Sequence, residues 1–131
     1  MDRDRLERVA RRHGVLLLLQ FGSSVTGRTH ERSDVDLAVL LKEMPTTFDG
    51  DADLIADLQG LVPGREVDVA FLSRADPLFL KQITDRCELL YGSPRQLEDL
   101  KLQAFKRHQD HRRYLRMERE YVDRKIAELS R

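Results

Sequence analysis

Strands and helices alternate along this chain, and that alternation predicts an α/β (α+β) fold. Three observations carry the reading. The unbroken apolar run Val15–Phe21 reads as a buried strand. Residues 34–41 and 66–72 each alternate apolar and polar side chains, as strands with two unlike faces do. Much of the remainder shows helical spacing or is rich in helix formers. At 131 residues and 40% hydrophobic, the chain can bury one core and hardly two, so a single domain is expected.

Taken in order, residues 2–13 suit a helix with Leu6 and Val9 turned inward, ended by Gly14. The buried strand follows and closes on Gly22-Ser23. In the next strand Val35, Leu37, Val39 and Leu41 share one face while Asp34 and Asp36 share the other. Residues 51–61 suit a helix whose apolar stripe is Leu54, Ile55, Leu58 and Leu61, and Pro63-Gly64 turns the chain into a third strand. There Val67, Val69 and Phe71 oppose Asp68. A helix over 76–86 with Pro77 in its first turn and a last strand, Cys87–Tyr91, lead to Gly92-Ser93-Pro94. From 94 to 131 no helix breaker appears, which predicts one long helix or two abutting ones. Residues 1–93 thus form the core, and 94–131 form a helical segment of the same domain. Leu115, Val122, Ile126 and Leu129 make a narrow apolar stripe along that segment, suited either to packing on the sheet or to docking a protein partner.

The chemistry is concentrated in a short stretch. Gly22 permits a sharp bend after a buried strand, and the backbone amides there, with the Ser23 hydroxyl, can hold phosphate oxygens. Asp34 and Asp36 point the same way with backbones roughly 7 Å apart, an arrangement that repels itself unless a cation intervenes. Hard oxygen donors of this kind suit Mg²⁺ bound together with substrate phosphates. If the third strand lies beside the second, Asp68 joins them and can take a proton from an attacking hydroxyl.

Gly22, Ser23, Asp34, Asp36 and Asp68 match, position by position, the pattern of the polymerase-beta-like nucleotidyltransferase superfamily, and GSSVTGRTHERSDVDLAVL with EVDVAFL most resembles its minimal prokaryotic members. The resemblance implies a small mixed sheet flanked by helices, a nucleotidyltransferase core, two Mg²⁺ ions held by Asp34, Asp36 and Asp68, and ATP as substrate. Many such proteins serve as antitoxins to helical HEPN-domain ribonuclease toxins, so it also implies transfer of AMP to a tyrosine of a HEPN partner. Two alternatives stay open: transfer to a small hydroxylated molecule, as in aminoglycoside-modifying relatives, and neutralisation of a toxin by binding alone. One departure stands out, because Thr26 precedes Gly27 where many relatives carry arginine. Arg28 and Arg32 are close enough to supply that charge to the nucleotide, or are solvated loop residues, and Ser33 reads as a turn or cap residue presenting Asp34.

Other constellations are weak. Formal net charge is zero, which argues against a nucleic-acid-binding surface. Single Cys87 has neither a disulfide partner nor zinc-like spacing, so it reads as a packing residue in a reducing compartment. The charged start Met1-Asp2-Arg3 and the shortness of the apolar run argue against a signal peptide or a membrane span, and a cytoplasmic location is expected. His108 and His111 lie one helical turn apart without a third ligand and are expected to be exposed, with His30 in a loop.

Overall fold

The computed structural model describes residues 1–22, 34–44 and 47–130, with Phe48 described by its backbone alone. Its elements run α1 (Arg3–His13), β1 (Val15–Phe21), β2 (Val35–Leu41), α2 (Phe48–Gly60), β3 (Val67–Phe71), α3 (Pro77–Asp85), β4 (Cys87–Tyr91) and α4 (Pro94–Leu129), with a 3₁₀ turn at Leu72–Arg74. The four strands form one mixed sheet in the order β3-β2-β1-β4. β1 pairs antiparallel with both β2 and β4, whereas β2 and β3 run parallel, joined by α2 as a crossover.

Local chemistry explains most boundaries. Asp2 caps α1, its side chain accepting from the Asp4 backbone N–H at 3.0 Å, and Gly14 ends the helix in the left-handed region at φ 67°. Asp76 caps α3 by accepting from the Phe79 N–H at 2.8 Å, with Pro77 in the first turn, where its missing N–H costs nothing. Ser93 and Pro94 start α4 in the same way. α2 begins three residues before the 51–61 expected from its stripe, because Thr47 supplies the cap by accepting from the Gly50 N–H.

Helices cover both faces of the sheet. Leu6 and Ala10 of α1 and Leu54 and Leu58 of α2 pack with Leu18, Val35, Leu37, Val39 and Leu41 on one face. On the other, Leu80 and Ile83 of α3 and Leu97, Leu100 and Ala104 of α4 pack with Leu17, Leu19 and Ala38. β1 feeds both layers, which accounts for its unbroken apolar sequence. The α1–α2 layer is tied at its rim by Asp57, which accepts from Arg12 at 3.1 Å and lies 2.6 Å from the His13 Nε2. Ile55 departs from its expected inward place: it is 38% exposed, because α2 buries only the narrower stripe of Leu54, Leu58 and the capping Leu61.

α4 is one continuous helix of 36 residues, about 54 Å long at 1.5 Å per residue. Only its first turns are buried, and every residue from 112 to 130 is exposed. His108 and His111 are half-buried rather than exposed, because they continue the face that carries Leu100 and Ala104 toward the body of the domain. Cys87 is half-buried against the α3–α4 layer, and burial raises its thiol pKa, with Lys101 pulling it down and Glu98 adding to the rise. Among the described residues no helix is long and apolar enough to cross a membrane.

Candidate active site

One row of side chains crosses the sheet near the end where β1 finishes and the other three strands begin. In register, Asp68 of β3 stands beside Asp36 of β2, Asp36 beside Phe21 of β1, and Phe21 beside Cys87 of β4. Paired residues on neighbouring strands share a face, so all four project toward the α3–α4 side. Asp34 precedes β2 at the mouth of the row and is exposed, as is Asp68, while Asp36 is half-buried between them. The adjacency that the sequence left conditional is thus met, and it depends on the parallel β2–β3 pairing.

The three carboxylates are electrostatically coupled. The Asp36 pKa is raised above its ordinary value of 3.8, first by burial, then by the charge of Asp68, then by that of Asp34. Gly22 closes the other side. It adopts φ 78°, and a Cβ built there would run into the Asp36 carboxylate, whose Cγ would lie 3.2 Å from it. Only glycine supplies both this backbone region and this close approach.

This donor set suits a hard divalent cation that shares its coordination with phosphate oxygens. The carboxylates do not close a metal cage by themselves, since among the described residues no three His, Cys, Asp or Glu side chains are grouped tightly enough to hold an ion. Mg²⁺ fits under those terms, because it is commonly held by one or two carboxylates with the substrate completing its shell. Ser23, Arg28, Arg32 and Ser33, together with Thr26 and His30, lie outside the described residues.

Two features at the site escape sequence reading. The Phe21 ring meets Phe79 of α3 edge-on, with centroids 6.0 Å apart, giving the carboxylate row an aromatic border. Phe21 directly precedes Gly22 and its place in the row follows once the register is known, but nothing in the sequence announces Phe79. Gln59, at the end of α2, reaches back to the backbone that leads into Asp68. A glutamine before a turn carries no distinguishing signal.

Comparison with known proteins agrees with this fold. The family model described as polymerase beta, nucleotidyltransferase matches residues 5–96. No curated protein sequence matches significantly. Among solved structures, a toxin–antitoxin complex with AMP-PNP superposes with a TM-score of 0.71 at 20% identity, covering 97% of this chain and 99% of the other. A complex of tri-AMPylated Shewanella oneidensis HEPN toxin with its MNT antitoxin gives 0.64 at 18% identity, covering 95% of each chain. Spectinomycin adenyltransferase AAD(9) from Enterococcus faecialis, with ATP and spectinomycin, gives 0.54 at 16% identity over 74% of this chain and 57% of its own. With the family model spanning residues 5–96 of 131, well over half of the sequence, this chain belongs to the polymerase beta nucleotidyltransferase family.

Proposed function

We propose that this protein is a cytoplasmic, Mg²⁺-dependent antitoxin that transfers AMP from ATP to a tyrosine hydroxyl of a helical HEPN ribonuclease partner. The observation that carries the proposal is the meeting of Asp34, Asp36 and Asp68 at one sheet end, against the close-packed backbone of Gly22. Asp34 and Asp36, joined by Asp68, would hold two Mg²⁺ ions, which when bound neutralise the triphosphate and lower the pKa of the acceptor hydroxyl. The Gly22-Ser23 turn holds the phosphates that leave, with Arg28, Arg32 and Ser33 as further nucleotide contacts. Asp68 takes the proton as the acceptor oxygen bonds to the α-phosphorus. The bond from that phosphorus to the α–β bridging oxygen breaks, and pyrophosphate departs.

Two observations favour a protein acceptor. The toxin–antitoxin structures match the chain along nearly its whole length, whereas the spectinomycin enzyme matches about three quarters of it. The stripe with which α4 packs on the domain, Leu97, Leu100 and Ala104, also continues at helical spacing as Leu115, Val122, Ile126 and Leu129, all exposed. Arg112, Arg116 and Arg119 flank that continuation, which suits a helical partner with an acidic rim. Residues 1–93 would then act as the catalytic core and 94–131 as the docking segment. Transfer to a small hydroxylated molecule is the second reading, favoured by the likeness to the spectinomycin enzyme. Neutralisation by binding alone leaves the crowding of three carboxylates without a purpose.

Intact-mass measurement of a HEPN partner after incubation with this protein, ATP and Mg²⁺ tests the proposal. A gain of one or more AMP units, absent with Asp36→Asn, is expected. A stable complex without any gain would transfer the assignment to neutralisation by binding, and neither complex nor gain would point to small acceptors.

A further inference from the structure

β3 carries Asp68 from an edge of the sheet. It has five residues, sits at the sheet edge and bonds to β2 alone. Its start is fixed on the inner side by the Val35 N–H, which donates to the Glu66 carbonyl at 2.8 Å. The Val67 N–H belongs to the same peptide unit as that carbonyl and therefore faces outward, where an edge strand ordinarily meets water. Here it donates to Gln59 Oε1 at 3.0 Å. The same amide group donates through Nε2 to the Arg65 carbonyl at 2.5 Å and reaches the Val62 carbonyl at 3.5 Å.

One half-buried side chain thus gathers the loop of residues 62–66 and the first amide of β3, one residue before Asp68. We propose that Gln59 is a positioning residue for nucleotidyl transfer: it clamps the outer edge of β3 so that Asp68 stands level with Asp36. The physical need is specific. A short parallel edge strand is held by few ladder bonds, and a carboxylate that takes a proton must stay within hydrogen-bond reach of the acceptor. Without the clamp the first residues of β3 fray, and Asp68 spends part of its time out of reach. The inference rests on the role given above to Asp68.

Gln59→Met keeps the side-chain length and removes every one of these hydrogen bonds. Its transfer of AMP from labelled ATP to the HEPN partner is expected to show kcat reduced about tenfold to a hundredfold, with KM for ATP little changed, as for a misplaced catalytic group. Amide hydrogen exchange at Val67 and Asp68 is expected to speed up while exchange in β1 stays slow. In an Asp68→Asn background the Gln59→Met change is expected to cost less than about twofold, because the group it positions is gone. An undiminished loss in that background would overturn the positioning role. Unchanged exchange at Val67 and Asp68 would overturn the clamp whatever Asp68 does. Full transfer by Asp68→Asn alone would instead sink the role of Asp68 and leave the clamp to be judged by exchange. If Gln59→Met does not fold, Gln59→Leu, which likewise can neither accept from Val67 nor donate to Arg65, undergoes the same measurements.

Discussion

Replacing Gly22 by alanine should damage transfer far more than it damages the fold, and Gly14→Ala provides the matched control. Both glycines sit in the left-handed region, at φ 78° and 67°. An alanine there costs about 1–2 kcal/mol of backbone strain, of which about 0.4–1 kcal/mol is returned through the stiffer unfolded chain. The neighbours differ. A Cβ at Gly14 would find only the Lys42 Cβ at 3.9 Å, an ordinary contact. A Cβ at Gly22 would strike the Asp36 carboxylate, which must retreat by roughly 1 Å to reach an ordinary contact distance. Because the obstacle is the end of a side chain, stability suffers little: an off-rotamer Asp36 adds about 0.5–1.5 kcal/mol. Gly14→Ala should therefore lose about 1 kcal/mol in urea unfolding with transfer intact, and Gly22→Ala about 1–2 kcal/mol. For a catalytic group moved by 1 Å, a rate loss of about a hundredfold is the expected scale, equivalent to about 2.7 kcal/mol of barrier. Initial rates of AMP transfer and urea midpoints, measured on both variants, decide the matter. Full transfer by Gly22→Ala would refute the reasoning, as it would show that Asp36 need not stand where the structure puts it.

Asp36→Asn should abolish transfer and leave the domain folded. Because the Asp36 pKa is raised in the folded state, that state holds its proton more tightly. Its contribution to stability is therefore lost as the pH climbs from 3.8 to the raised value, a loss that solvent screening at this half-exposed group keeps small. Urea midpoints across that window should fall less steeply for the asparagine variant than for the parent; equal slopes would contradict the shift. Asp57→Ala, which unties Arg12 and His13 from α2, should cost about 1 kcal/mol in the same assay without altering transfer, since this tie lies on the opposite layer from Asp36. Val122→Glu with Ile126→Glu should leave the unfolding midpoint within about 0.5 kcal/mol, because both residues are exposed, yet abolish co-elution with the proposed HEPN partner. Retained co-elution would remove α4 from the interface.

Much of this architecture was legible because its local signals agree. Gly14, Asp76-Pro77 and Ser93-Pro94 mark helix ends by their own backbone and capping chemistry, and β1 declares its burial by carrying apolar residues on both faces. Where reading failed, the deciding neighbour lay elsewhere in the chain. Ile55 has stripe spacing but meets no facing layer, and the half-burial of His108 and His111 depends on how far along α4 the domain extends.

The sequence by itself determined the chemical inventory: which carboxylates exist, that Asp34 and Asp36 must share a strand face, and that a glycine must stand where the chain leaves β1. Backbone periodicity and steric rules act within a few residues and can be read from order alone. Only the tertiary structure decided that Asp68 stands beside Asp36, that the Asp36 carboxylate fills the space a side chain at Gly22 would need, and that Gln59 accepts from the first amide of β3. Strand register and parallel pairing are settled by long-range packing of α2 and β3 against β2, which no local pattern encodes.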